Sequence, residues 1–218
     1  PASGMNARLM KLGIPVVFQN IIIGVGGLVV QYVINGYGFL FVAGFTAANK
    51  LYGVLEMASL SYGYAITTYV GQNLGAKKYR RIRNGVRSGV YMALITSIVI
   101  SGVMVITGRN ILSLFVSGEA GQVKQVLDIA YKYLFIMAIF LWVLYLLYVY
   151  RSAIQGLGNT LIPLASGVVE FCMRVGVALL LPKLIGEDGI FYAEISAWSG
   201  AAILLIVSYV VIIRKYKE

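Results

Sequence analysis

Long apolar runs alternate with short polar ones along this chain. Mostly apolar stretches occupy residues 7–34, 41–70, 86–107, 126–150, 161–181 and 190–213. Each holds about 20 residues or more, and at about 1.5 Å of rise per residue that crosses a hydrocarbon layer about 30 Å thick. The pattern predicts an all-α membrane protein, a bundle of six transmembrane helices. Residues 5–218 are read as one such unit, and PASG ahead of Met5 as an appended scar outside it. The first run is too long for a cleavable signal and leads straight into the second.

Composition agrees with the pattern. Hydrophobic residues make up 60% of the 218 and charged residues 12%, against roughly 45–50% and about 25% in soluble domains. The chain has no His and one Cys, Cys172. That excludes disulfides, Cys/His zinc sites and a His general base, so an enzyme is a poor candidate and no cofactor or metal is expected. A lone Cys in an apolar run reads as a small core residue.

The formal charge is +10, and its distribution sets an orientation. The densest cluster is GQNLGAKKYRRIRNGVRSG, residues 71–89, with Lys77, Lys78, Arg80, Arg81, Arg83 and Arg87 and no acid. With Arg8, Lys11, Arg151, Arg214, Lys215 and Lys217 it makes twelve basic residues on one side of the predicted bundle. The other side has four, Arg109, Lys124, Lys132 and Lys183, beside Glu119, Asp128, Glu187 and Asp188. Basic loops stay in the cytoplasm, so both termini and the basic loop are placed there, in a multi-pass protein of the cell membrane. The charges then serve topology, with contact to anionic headgroups as a secondary role, rather than nucleic-acid binding. Gly71, Gly75 and Gly85 are expected to let the chain turn at the membrane face.

Several small residues read as packing devices. Gly24, Gly26 and Gly27 thin the first helix, and Gly85 and Gly89 form a small-xxx-small start to the third. Pro15 would let the first helix bend. Tyr131, Tyr133, Tyr145, Tyr148 and Tyr150 are numerous enough to imply that the fourth helix faces something polar or aromatic.

The candidate chemistry lies in ionisable groups inside apolar runs. A mid-bilayer charge costs roughly 2.5–3.5 kcal/mol on insertion scales, so it faces a partner or a wet cavity. Glu170 and Arg174 in the fifth helix are spaced i,i+4 and are expected to pair and fix helix packing. Glu56 in the second helix has no basic residue at i±3 or i±4. It needs another helix, a proton or water, which makes it a candidate for a substrate path or proton site. Lys50 lies about 9 Å nearer the outside on the same helix. Gln19, Asn20, Gln31 and Asn35 of the first helix, and Asn49, Ser59, Ser61, Thr67 and Thr68 of the second, are candidates to line the same cavity. Gln19 and Gln31 share a face only if the first helix bends. Asn49 and Glu56, seven apart, share one on a regular helix.

Four motifs then point to a family. The run TYVGQNLGAKKYRRIRNGVRSG, with Gly71, Gln72, Asn73, Gly75 and Ala76, resembles the signature after the second helix of the C-terminal lobe in multidrug and toxic compound extrusion (MATE) transporters. SAIQGLGNTLIP, with Gln155, Gly156, Gly158, Thr160 and Pro163, resembles the segment between the fourth and fifth helices of that lobe. KLGIPVVFQN and VVEFCMRVG are similar to parts of its first and fifth helices. The resemblance implies an efflux carrier for small organic cations or amphipathic drugs, coupled to H+ or Na+ entry by rocking of two six-helix lobes. This chain supplies one lobe. In one branch of the family the second lobe carries coupling carboxylates on its first and fourth helices, but no acid occurs here in residues 5–34 or 129–150. In another branch the coupling aspartate belongs to the other lobe, so neither ligand set carries over. Three readings stay open: a two-lobe transporter made of two copies, an isolated lobe that transports nothing, and a membrane partner subunit with a binding role.

Overall fold

The computed structural model describes residues 4–216. The scar reading of residues 1–3, and Lys217 of the basic tail, lie outside the described residues. Six long helices make up the fold: α1 (Met5–Asn35), α2 (Phe39–Gly75), α3 (Tyr79–Ser113), α4 (Ala120–Gly156), α5 (Leu161–Leu180) and α6 (Tyr192–Ile213). A helical turn, Pro182–Ile185, and a 3-10 turn, Glu187–Phe191, lead into α6.

The first four helices overrun the predicted spans, whereas α5 ends one residue before its span does and α6 starts two residues after its own begins. α3 starts seven residues before the apolar run 86–107 and α4 ends six residues after 126–150. Hydropathy marks where a membrane would end, whereas backbone hydrogen bonding lets a helix continue into polar surroundings. The basic "loop" therefore shrinks to the turn at residues 76–78. That turn corrects an expectation, because Gly71 and Gly75 lie in α2 and Gly85 in α3. Lys77 makes the reversal at φ 56°, and Lys78 N–H closes it on the Asn73 carbonyl at 2.8 Å. α1 continues through Pro15 as one helix.

Five of the six helices are long and apolar enough to cross a membrane; α2 is not among them. It carries Asn49, Lys50, Glu56, Gln72, Asn73 and four tyrosines among its 37 residues. Those polar groups lower the hydropathy that the expected span required.

Packing divides the bundle in two. α2, α3 and α4 pack on one another, and α5 packs against α1 and α6; the halves join through α6 against α4. α1 barely meets α2, and α4 barely meets α5. The core lies along α4, where Tyr133, Leu134, Leu141, Leu144, Tyr145 and Leu147 are buried. The Tyr133 ring stacks on Phe45 at 4.5 Å and on Phe191 at 5.1 Å between centroids, which supplies the aromatic neighbours expected of α4.

Glycines set the closest approaches. A Cβ on Gly156 would lie 2.8 Å from Val70 Cβ and 2.9 Å from the Thr67 carbonyl oxygen, and one on Gly44 would lie 2.9 Å from the Val126 carbonyl oxygen. Gly26, Gly85 and Gly89 also sit against neighbours, whereas Gly24 and Gly27 face open space. Cys172 lies on the exposed surface of α5, not in the core as expected. A sulfhydryl is apolar enough to sit on either side of a membrane helix.

The two ends of the bundle differ in charge. Arg83 of α3 donates to the Ile213 and Tyr216 carbonyls at 3.3 and 2.6 Å, so the basic turn and the end of α6 share one end. Lys132 pairs with Asp188 and Arg109 with Asp128, residues assigned in the sequence to the opposite end.

Candidate functional site

Where the two halves fail to pack, a cavity of about 250 Å³ opens between α1, α2, α4 and α5. Its polar lining comes from Gln19 and Asn20 of α1, Tyr52, Glu56 and Thr67 of α2, Tyr148, Arg151, Ser152 and Gln155 of α4, and Glu170 and Arg174 of α5. Trp198 of α6 closes the apolar side with Leu144 and Leu147.

The charged groups form two cross-helix ion pairs and one leftover acid. Arg151 of α4 pairs with Glu170 of α5 and donates to Ser166 Oγ at 3.2 Å. Arg174 of α5 pairs with Glu194 of α6 at 2.7 Å and donates through Nη1 to the Ile23 carbonyl of α1 at 3.2 Å. Glu170, Arg174 and Arg151 are 3%, 5% and 7% exposed, so both pairs are withdrawn from solvent. Burying a charge is tolerable only when an opposite charge and hydrogen bonds compensate it. Arg151 Nε and Arg174 Nε remain buried without an acceptor among the described residues.

The expected Glu170–Arg174 pair is not made. The i,i+4 spacing puts both on one face of α5, as predicted, but each is taken by a residue from another helix. The third acid, Glu56, is half-buried and accepts a hydrogen bond from Tyr148 Oη at 2.8 Å. No described basic group pairs with it. Among the described residues, this buried network thus counts three carboxylates, Glu194 lying behind the cavity wall, against two guanidinium groups.

The uncharged candidates separate. Gln19 is buried against Gly167 of α5 and approaches Gln155 Nε2 at 3.5 Å. Asn20 and Thr67 also line the cavity, Thr67 Oγ1 donating to the Ser152 carbonyl at 3.2 Å. Gln31 does not reach it; its Nε2 donates to Asn35 Oδ1 at 2.9 Å on the surface of α1. Asn49 is on the predicted face but about 10 Å further along α2, where it meets Tyr133 Oη at 3.4 Å. Ser59, Ser61 and Thr68 hydrogen-bond to carbonyls of their own helix. Lys50 lines a separate pocket beside Phe115 and Gln122.

The family motifs sit around this site in different ways. Gln155 lines the cavity, Gly156 brings α4 onto α2, and Gly158 turns the chain at φ 80°. Thr160 precedes α5 and Pro163 lies in its first turn, where a missing N–H is harmless. Gln72 and Ala76 belong to the hydrogen-bonded end of α2, Ala76 N–H bonding the Gln72 carbonyl at 3.1 Å. Sequence reasoning missed Glu194, Tyr52 and Trp198, and took Arg151 as a surface charge. The available signal for Glu194 was an acid three residues into an apolar helix, in YAEISAW.

Comparison with known proteins places this architecture. The chain is 25% identical over 187 residues to the probable multidrug resistance protein YoeA of Bacillus subtilis, covering 86% of this chain and 35% of that one. To the multidrug export protein MepA of Staphylococcus haemolyticus it is 23% identical over 207 residues, covering 94% and 44%. All of the chain superposes on 49% of a MOP superfamily transporter from Pyrococcus furiosus, with a TM-score of 0.90 at 17% identity. The chain thus spans between a third and a half of the length of these relatives. The MatE family model matches residues 15–180, three-quarters of the chain and every cavity-lining residue but Trp198; the chain belongs to the MatE family of multi-pass membrane transporters.

Proposed function

We propose that residues 5–218 form one lobe of an exporter for small organic cations or amphipathic drugs, coupled to entry of H+ or Na+. The lobe works beside a second copy of itself, with the basic end in the cytoplasm. The observation that carries this reading is the leftover carboxylate. Glu170 and Glu194 are each neutralised by an arginine, while among the described residues Glu56 has no basic partner and accepts a hydrogen bond from Tyr148. An ionised carboxylate inside a membrane is costly unless a cation sits beside it. A proton, a sodium ion or a cationic cargo each meets that need, and only one can do so at a time. Competition for one carboxylate converts ion entry into cargo release, which is the exchange an antiporter needs. Tyr52, Trp198 and Leu144 supply the apolar and aromatic contact that an amphipathic cargo requires.

The test is uptake of a fluorescent cation into proteoliposomes under an imposed proton or sodium gradient. The wild-type chain should transport, and Glu56→Gln, which keeps the size and a hydrogen-bond acceptor, should abolish the gradient dependence. An unchanged pH and sodium profile in that variant removes Glu56 from the mechanism.

A further inference from the structure

A second site lies outside the central cavity. At the basic end, α3, α4 and α6 leave a pocket of about 390 Å³ lined by Arg83, Val86, Arg87, Val90, Tyr91, Tyr150, Tyr209 and Ile213. On α3 the spacing 83, 86, 87, 90 and 91 lies on one helical face, so two guanidinium groups stand beside two valines. The floor is built: Val86 and Ile213 are buried, and the Tyr150 and Tyr209 rings meet edge-on at 5.4 Å.

Both arginines are held in place, and among the described residues neither pairs with a carboxylate. Arg83 uses one nitrogen, Nη2, on the Ile213 and Tyr216 carbonyls. Arg87 lies 5.7 Å from the Tyr91 ring centroid and donates to its hydroxyl at 3.3 Å. No acidic side chain lines the pocket, and none occurs between Lys77 and Arg87. A half-apolar pocket with two pre-positioned guanidinium groups at a helix end matches one chemistry: a phosphate group with hydrocarbon below it. Guanidinium binds phosphate oxygens in pairs, and basic pockets between transmembrane helices take lipid headgroups.

We propose that this pocket is a stoichiometric binding site for an anionic phospholipid of the adjoining leaflet, its phosphate on Arg83 and Arg87 and its acyl chain along Val86, Val90 and Ile213. This differs from a diffuse attraction of the basic turn to the membrane in requiring one lipid, both arginines and the open floor.

Native mass spectrometry of the detergent-purified chain with palmitoyl-oleoyl phosphatidylglycerol or phosphatidylcholine tests it. Expected is one retained phosphatidylglycerol per chain and little phosphatidylcholine, with inorganic phosphate failing to displace it. Arg87→Gln should lower retention about fivefold. Val90→Trp, which fills the floor without touching a charge, should do the same, whereas Lys77→Gln should not. Arg83→Gln is the weaker variant because Arg83 also caps α6, so Arg87 and Val90 carry the decision. Equal retention of both lipids, displacement by free phosphate, unaffected Val90→Trp, or equal losses from Lys77→Gln and Arg87→Gln would each overturn the site in favour of surface charge alone.

Discussion

Glu170 has two arginines within reach of its face of α5 and bonds the more distant one in sequence. Arg174, four residues along, is engaged by Glu194 and by the Ile23 carbonyl, which leaves Glu170 to Arg151. An i,i+4 pair on one helix contributes only a few tenths of a kcal/mol. A cross-helix pair inside the bundle removes a desolvation cost on both partners at once. The Arg151–Glu170 pair is also a main tie between α4 and α5, which otherwise scarcely pack. Breaking such a pair leaves an uncompensated buried charge and costs about 3–5 kcal/mol. Arg151→Leu should therefore lower the thermal midpoint in detergent, followed by far-UV circular dichroism, and the exchange Arg151→Glu with Glu170→Arg should recover part of the loss. If Arg151→Leu melts like the wild type, the pair is not a structural tie.

At the scale of the helix, glycines separate contacts that a sequence shows alike. Gly156 and Gly24 both stand in apolar helices, yet a Cβ on the first meets the Thr67 carbonyl and one on the second meets nothing within 4 Å. The backbone of α2 cannot give way as a side-chain tip can. Gly156→Ala should cost about 1–3 kcal/mol as overpacking, whereas Gly24→Ala should be neutral or gain about 0.5–1 kcal/mol from lower chain entropy. Paired thermal melts decide it: equal midpoints for the two variants would refute the close α2–α4 approach. The same limit governs what the sequence could disclose. Apolar runs located all six helices, and glycine-rich connections carried the family resemblance, because both are local patterns. Helix ends, the reversal at Lys77 and the partners of Glu170 and Arg174 depend on contacts between segments far apart in the chain. Glu56 was legible because an acid in an apolar run with no local partner must find one elsewhere; Arg151 was not, since a basic residue at a helix end normally faces water or headgroups.

For the whole molecule, the question is what closes the cavity. It opens where α1 and α2 scarcely touch, and α1 carries a stripe of exposed apolar residues at three- and four-residue steps: Met10, Ile14, Val17, Ile21, Val25, Leu28 and Tyr32. Lipid can cover such a stripe, but lipid tails cannot satisfy Asn20 and Glu56 in the cavity wall. A second lobe with the same polar wall can. Two copies related by an axis along the membrane normal would face their cavities together, the arrangement of transporters built from parallel repeats. In that arrangement both Glu56 side chains would share one chamber, so one defective copy should impair the pair. The prediction follows from mixing wild-type chain with Glu56→Gln in equal amounts before reconstitution. If two intact copies are required, gradient-driven uptake should fall to about a quarter, the fraction of symmetric pairs holding two wild-type chains. Independent lobes would retain about half. The detergent-corrected mass should correspond to two chains in the same preparation; a single-chain mass with half the uptake would mean that each lobe works alone and that something other than a second copy covers the opening.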